Sequence, residues 1–406
     1  MDLLPILRSL ARRKTGAILI ALQVALTVAI LSNSIAVVQQ RLQHMRRPTG
    51  LDEADIFTMG NQFAGATADL SSRIQADLAQ LRAIPGVVDA VAGQSFPLRG
   101  YGGSTGVKRT SDPKATSFNA AEYATSERVL DTWGLRLISG RNFTRTEIRE
   151  RQLGRDWTAP PVAIVSQALA RALFPQGDAL GREIYIAGTA PTRIVGIVAH
   201  AQSPWAAHES VGFPAEYSVL EPLQWVSTNV SYVVRTRPGL SAVLLPVAQQ
   251  QLYALSHARV ISEAQTFADT RADQYRDDRS LGLILAVVCA LLLTVTAFGI
   301  IALTTYWVAQ RQRQIGMRRA LGARRINIIQ YFHTENLLIA GVGAAIGVAL
   351  AVAANLWLAT SLEMGRMGVG YICLGAMIVV ALSQVAVTWP ALRAASLPPA
   401  AAIRGQ

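Results

Sequence analysis

The sequence predicts a membrane protein: four transmembrane helices plus one large extracytoplasmic α+β domain. Three observations carry this. Residues 17–38, 281–308, 337–359 and 371–389 are apolar runs free of Lys, Arg, Asp and Glu. Arginines crowd the flanks that share one side of those runs. The segment between the first and second runs is long and mixes helical with strand-like patterns.

Each run has about the 20 apolar residues that a helix needs to cross a hydrocarbon core of about 30 Å. In lipid the backbone must satisfy its own hydrogen bonds, so each run reads as a helix. Arg8, Arg12, Arg13 and Lys14 precede the first run. Arg311, Arg313, Arg318, Arg319, Arg324 and Arg325 lie between the second and third, and Arg393 and Arg404 follow the fourth. The acids on that side are Asp2 and Glu335. By the positive-inside rule both termini are cytoplasmic and the long segment 39–280 is outside. The formal charge of +12 is then mostly topology, and a nucleic-acid partner has no basic domain to bind. Cys289 and Cys373 both fall in apolar runs, so the outer domain is not a disulfide scaffold.

The organisation follows in order. Residues 1–16 read as a cytoplasmic amphipathic helix, with Leu3, Leu7 and Leu10 at helical spacing beside Arg8 and Arg12. Residues 17–38 form the first transmembrane helix. Ser32-Asn33-Ser34 resembles a signal-peptidase site, but the apolar character continues through Val38, which favours an uncleaved anchor. Residues 39–280 form the outer domain with helical stalk ends at 39–47 and 267–279. The remaining segments are helix 281–308, cytoplasmic loop 309–335, helix 337–359, outer loop 360–370, helix 371–390 and cytoplasmic tail 391–406.

In the outer domain, Ile74, Leu78 and Leu81 line one face of a helix over 71–84 that stops at Pro85-Gly86. Residues 87–91, 162–165, 184–186, 193–198, 229–235 and 259–261 read as strands, and 167–174 and 240–256 as helices. Residues 100–116, rich in Gly, Ser and Thr, read as a loop. They fail the phosphate-loop pattern, because Val107 stands where the second glycine belongs. His200 and His208 with Glu209 are too thinly spaced for a metal site. The residues predict no catalytic site, no metal and no cofactor held by this chain.

The helix over 337–359 carries Gly341, Gly343 and Gly347, the last two a small-xxx-small pair that suits close packing within the bundle or a dimer contact. No intramembrane charge marks an ion path, so the energy for any transport must come from elsewhere. The loop from Arg311 to Arg325 is basic and amphipathic. One reading is a segment facing anionic lipid. The other is a short docking helix, for which Gly316, Ala320, Gly322 and Ala323 supply small residues.

Arg311, Ile315, Gly316, Arg318, Ala320, Leu321, Gly322 and Ala323 stand in the register of an Arg-x-x-Glu-Ile-Gly-x-Arg-x-Ala-Leu-Gly-Ala signature. In this the chain resembles the FtsX-like permeases, departing at Gln314, where the family has Glu. Glu335-Asn-Leu-Leu, Pro390-Ala-Leu-Arg-Ala-Ala and Pro399 through Arg404 resemble the rest of that membrane domain. The stretches from Trp133 to Phe143, Ala163 to Pro175, Leu180 to Arg182 and Ile194 to Val198 resemble the periplasmic core domain of MacB-type proteins.

The resemblance to the MacB/FtsX-like ABC transporter permease family implies a porter-like βα part with a strand-rich insertion. It implies a cytoplasmic ABC ATPase, using ATP and Mg, that contacts Gln314, Ile315, Gly316, Arg318, Arg319, Ala320, Leu321, Gly322 and Ala323. With no Walker motif in this chain, that ATPase is expected on a separate subunit. A second permease chain, a periplasmic adaptor and a TolC-like outer-membrane channel complete the implied assembly. Export from the periplasm by mechanotransmission is the leading function. Regulation of cell-wall hydrolases, peptide sensing and lipoprotein extraction are the alternatives.

Overall fold

The structure is a computed structural model that describes residues 14–65, 69–152, 159–206, 213–361 and 368–396. Residues 1–13 of the expected N-terminal amphipathic helix, the C-terminal Pro399–Arg404 stretch and most of the outer loop 360–370 lie outside the described residues, while 14–16 begin the first long helix. In chain order the helices are α1 (Lys14–Met45), α2 (Leu70–Ala83), α3 (Val129–Trp133), α4 (Gln167–Leu173), α5 (Ser241–Leu255) and α6 (Phe267–Gln274), then α7 (Arg276–Gln310), α8 (Gln312–Ala320), α9 (Arg325–Ser361) and α10 (Val369–Ser396). The strands are β1 (Ile56–Phe63), β2 (Val87–Gly93), β3 (Gly103–Lys108), β4 (Phe118–Thr125), β5 (Leu137–Gly140) and β6 (Arg149–Gln152), then β7 (Val162–Ser166), β8 (Glu183–Ile186), β9 (Pro191–Val198), β10 (Ser218–Val226), β11 (Asn229–Thr236) and β12 (Arg259–Thr266). The chain divides into two units, His44–Asp277 and the remainder.

The unit His44–Asp277 is built around two sheets. The first has the order β12-β1-β11-β2, antiparallel throughout. With α2 between β1 and β2, and α5 between β11 and β12, this is the split βαβ pattern of ferredoxin-like folds. Ile74, Leu78 and Leu81 of α2 and Leu244, Ala248 and Leu252 of α5 meet Phe57, Met59, Tyr232 and Val234 of the sheet. Pro85 then stops α2, and Gly86 takes φ +99°, a turn conformation that a Cβ disfavours. Asp77 of α2 is buried and accepts from Arg259 Nη1 at 2.7 Å and Tyr232 Oη at 2.6 Å.

The second sheet is inserted between β2 and β11. Its path β4-β3-β8-β9-β7-β10 closes through a parallel β4–β10 pairing, while β5 joins β9 and β6 joins β10. The ring encloses Val107, Ala163, Val165, Ile184, Ile186, Ile194 and Val219, with Leu169 and Leu173 of α4 packed in. Ser166 caps α4, its Oγ accepting from Leu169 N at 3.3 Å and donating to the Glu216 carbonyl at 2.6 Å. The expected porter-like part with a strand-rich insertion is this pair of sheets.

Two elements depart from expectation. The Gly/Ser/Thr-rich stretch expected as a loop over 100–116 contains strand β3, paired with β4 and β8. Its glycines serve close approach: a Cβ on Gly103 would lie 2.4 Å from Gln94 Nε2, and one on Gly106 2.6 Å from Ser117 Oγ. The expected stalk over 267–279 is two helices, because α6 ends at Gln274 and α7 starts at Arg276.

In the other unit, α1, α7, α9 and α10 are each long and apolar enough to cross a membrane. Ile20, Val24, Val28 and Leu31 of α1 pack with Ile300 and Trp307 of α7, Ile339 and Ala344 of α9, and Val379 and Val387 of α10. Leu283, Val287, Leu291, Val295 and Phe298 of α7 are exposed, the face offered to lipid. Polar side chains inside the bundle pair across helices. Thr27 and Thr296 hydroxyls lie 2.8 Å apart, and Asn336 Nδ2 donates to Ser383 Oγ at 3.2 Å. At the far end of the α1–α7 contact, Arg41 Nη1 meets Asp278 Oδ1 at 2.5 Å.

Candidate functional site

The α7–α9 turn is organised by one arginine. Arg311 leaves helical geometry at φ −104° and ψ 9°, and its N–H is shared between the Trp307 and Val308 carbonyls at 3.1 Å each. Its side chain turns inward. Nη1 donates to Glu335 Oε2 at 2.8 Å and Nη2 to Glu335 Oε1 at 3.0 Å, with Tyr331 Oη 3.1 Å from Nη1. The two side chains are 9% and 3% exposed. A bidentate guanidinium–carboxylate pair fixes direction as well as distance, so the start of α8 is tied to the second turn of α9 and beyond. Arg318 lies over the same Tyr331 ring, 5.4 Å from its centroid.

From this anchor α8 presents two sides. Ile315 and Gly316 are buried against the bundle. Gln314, Arg318, Ala320, Leu321 and Gly322 are exposed, and Arg319 and Ala323 are half-buried. Leu321, at the tip, is 84% exposed. The helix ends in a Schellman motif: Gly322 N–H reaches the Arg319 carbonyl at 3.1 Å and Ala323 N–H the Arg318 carbonyl at 3.0 Å. Gly322 has φ +95°, and a Cβ there would meet nothing within 4 Å. Its glycine therefore serves the backbone turn, whereas the expectation from sequence was tight docking.

The structure thus brings the predicted coupling residues onto one capped helix, with Ile315 and Gly316 as its inner wall and Leu321 as its tip. What this arrangement offers is binding: one large apolar side chain at a turn, flanked by guanidinium groups. Glu335 and Tyr331, which hold the turn, escaped the sequence reading as site residues. The signal for Glu335 was a lone acid just before an apolar run.

The glycines of the third membrane helix divide. A Cβ on Gly343 would lie 2.6 Å from the Ala21 carbonyl and 2.9 Å from Val24 Cβ. One on Gly347 would lie 2.6 Å from the Ala25 carbonyl and 2.8 Å from Val28 Cβ. Both are contacts of α9 with α1. Gly341 differs, because a Cβ there meets nothing within 4 Å; it is exposed on the other side of the helix. In the outer unit, His208 and Glu209 lie outside the described residues.

Comparison with known proteins places both units. Residues 17–245 match the family model described as MacB-like periplasmic core domain, and residues 286–399 match FtsX-like permease C-terminal. The macrolide export ATP-binding/permease protein MacB of Chromobacterium violaceum is 28% identical over 234 residues, 57% of this chain and 35% of that protein. The Escherichia coli protein of the same name is 24% identical over 355 residues, 85% of this chain and 51% of that one. The chain therefore spans about half or less of the length of these relatives. A crystal structure of the periplasmic region of MacB from Actinobacillus actinomycetemcomitans covers 57% of this chain and 98% of its own, at 16% identity and a TM-score of 0.34. With the core-domain match extending over more than half of its residues, the chain belongs to the MacB-like periplasmic core domain family, with an FtsX-like permease region at its C-terminal side.

Proposed function

We propose that this chain is the permease part of an ABC-type transporter of the bacterial inner membrane, driven by an ATPase on a partner subunit that docks on α8. The observation that carries the reading is Leu321. A leucine 84% exposed at the tip of a helix that is capped at one end and held at the other by a buried ion pair is a pre-organised contact. A segment that only neutralised lipid charge has no use for such rigidity.

In this reading both termini and α8 are cytoplasmic, and residues 44–277 are periplasmic. Two permease chains pair, identical or different. ATP and Mg are used in the partner ATPase, whose closure moves α8. The Arg311–Glu335 pair passes that movement to α9, and the bundle carries it outward to the periplasmic domain. The relatives are macrolide export ATP-binding/permease proteins, which supports export from the periplasm, with an adaptor and a TolC-like outer-membrane channel as the route out.

The test is co-purification with the candidate ATPase and its ATP turnover, comparing the wild type with Leu321→Asp. An added charge at an exposed tip leaves the fold intact, which a size-exclusion profile checks. Loss of ATPase binding is the expected result. Unchanged binding and turnover in Leu321→Asp would refute docking on α8.

A further inference from the structure

The strand ring of the outer unit holds a carboxyl group that the transport reading does not use. Glu221 of β10 is fully buried, and neither of its carboxylate oxygens has a hydrogen-bond partner among the described residues. By strand alternation it shares its face with Val219, a residue of the ring's apolar interior. Glu122 of β4 stands opposite Val219 in the parallel β4–β10 register, one pleat from Glu221. Thr105 of β3 lies opposite Ala120, which puts its hydroxyl on the same face, buried and also without a partner among the described residues. The nearest cation is Arg151 of β6. It is bonded to Glu122 and stands 3.9 Å from Glu221 Oε2.

β6 is an edge strand. Among the described residues it pairs with β10 alone, through Arg149–Gln152 against Leu223–Val226, two residues after Glu221. Its Arg151 guanidinium also lies over Trp225, 5.6 Å from the ring centroid. Beyond Glu221, this edge of β10 is thus held by four residues of strand, and the guanidinium beside the carboxylate is already bonded to Glu122.

We propose that Glu221 makes the strand ring a proton-operated device: protonated, it lets β6 stay seated on β10, and ionised, it drives β6 to lift and admit water to the carboxylate. An ionised carboxylate without donors is costly in an apolar interior and far less so in water. Any opening that wets Glu221 is therefore favoured once the proton is gone. Burial pushes the Glu221 carboxyl up to about 7, with Arg151 pulling the other way. Between its ordinary value near 4.5 and 7, the closed form binds the proton more tightly than the open one. The opening constant then rises about tenfold per pH unit and levels off above neutrality.

Other charges around β10 do not substitute for it. β4 brings Glu122, which is bonded to Arg151. β6 brings Arg149, Glu150 and Arg151, with Glu150 accepting from Ser71 Oγ. β7 brings no ionisable side chain. β2 brings Asp89, held by Arg82 at 2.8 Å and Arg128 at 3.0 Å. α2 brings Arg73, Arg82 and Asp77, the last paired with Arg259. Glu221 is the member of this set that is fully buried and without a hydrogen bond among the described residues.

The experiment is hydrogen exchange read by mass spectrometry on the full chain in neutral-lipid nanodiscs, at about pH 5.5 and about pH 8, corrected for intrinsic exchange. The wild type should lose protection over 149–152 and 218–226 by tenfold or more at the higher pH, while β1 and β11 stay unchanged. Glu221→Gln should show the same protection at both values, because an amide does not titrate. Equal protection of the wild type at both values would overturn the proposal. So would a pH response that survives in Glu221→Gln and vanishes in Glu122→Gln, which would assign the proton to Glu122. Because the wild type alone can fail the test, a variant that does not insert leaves it decisive.

Discussion

Alanine at Gly343 and alanine at Gly341 should have opposite effects, although the two glycines are two residues apart on one helix. A methyl on Gly343 would sit 2.6 Å from the Ala21 carbonyl oxygen. A carbon–oxygen contact settles at about 3.4 Å, so α1 and α9 would have to separate by about 0.8 Å at that point. Both helices are packed on other neighbours, and overpacking of this kind costs about 1–3 kcal/mol. Against this stands the gain of about 0.5–1 kcal/mol from replacing a helical glycine by alanine. The net for Gly343→Ala is destabilisation of about 1–2 kcal/mol. At Gly341 a methyl meets nothing within 4 Å, so only the helix gain remains and Gly341→Ala is neutral or slightly stabilising. The assay is the thermal midpoint of the purified chain, followed by fluorescence-detected size exclusion after heating. Equal midpoints for the two variants would show that α1 does not approach Gly343 this closely, and would refute the packing argument.

Glu335→Ala should destabilise the bundle by about 3–5 kcal/mol, since it leaves the buried Arg311 guanidinium without its carboxylate; detergent melts against Gln314→Ala, an exposed control, measure it. Arg259→Ala should cost the outer unit a similar amount, about 3–5 kcal/mol, because Asp77 and Tyr232 would keep a buried charge with its cation gone; a urea titration reports it. For Glu221 the sign follows from a folded value of about 7 raised above the ordinary 4.5. The folded state binds the extra proton, so the stability it contributes is complete below about pH 4.5 and falls away as pH rises to about 7. The loss is about 3 kcal/mol. Glu221→Gln should flatten that slope in melts taken across this range, and an unaltered slope would count against the assignment.

How much of this could be read from residues alone varies with the interaction. The membrane helices were legible because lipid demands long apolar runs. Their ends were less so: α9 begins at Arg325, well before the apolar run at 337, since charged residues continue a helix as readily as apolar ones. The spacing of Ile74, Leu78 and Leu81 disclosed α2, and the Ser241–Leu255 helix was visible for the same reason. Of the strand ring, 162–165, 184–186 and 193–198 read as strands and are β7, β8 and β9, while β3, β4 and β10 were hidden. β3 is written Gly-Ser-Thr-Gly-Val-Lys, and β10 carries Glu221-Pro222 at its centre; neither composition reads as a strand. β3 is held by the next strand, β4, and by the distant β8, and β10 by β4, β6 and β7, all distant in sequence. At α8 the residue types were legible but their reasons were not. The Gly322 requirement lies in its positive φ, and the Arg311–Glu335 pair joins positions too far apart for any local pattern to show.

The tight glycine contacts of the bundle share one helix. Gly343 and Gly347 of α9, Gly299 of α7 and Gly375 of α10 each face α1, at Ala21 and Val24, at Ala25 and Val28, at Gln23 and at Ser32 in turn, and Gly16 of α1 itself receives the Trp307 ring. Apolar burial does not drive helices together in lipid, so such contacts rely on shape and on hydrogen bonds across the seam. The Thr27–Thr296 bond and the Gln23 Nε2 bond to the Val295 carbonyl at 3.0 Å supply the latter on the α7 side. α1 is therefore the helix on which the other three are indexed. In the proposed mechanism, a push on α8 that reached α9 through Arg311 and Glu335 would meet α1 at two glycines without slack, and α1 meets α7 at hydrogen-bonded positions. Loosening any one glycine contact by a bulky residue should then weaken more than its own pair: Gly347→Leu is expected to loosen α7 as well as α9. Cysteine cross-linking between Thr27→Cys and Thr296→Cys measures this directly. Efficient cross-linking in the otherwise native bundle and its loss on adding Gly347→Leu would support α1 as the shared axis. Undiminished cross-linking would mean that α7 and α9 hold α1 independently.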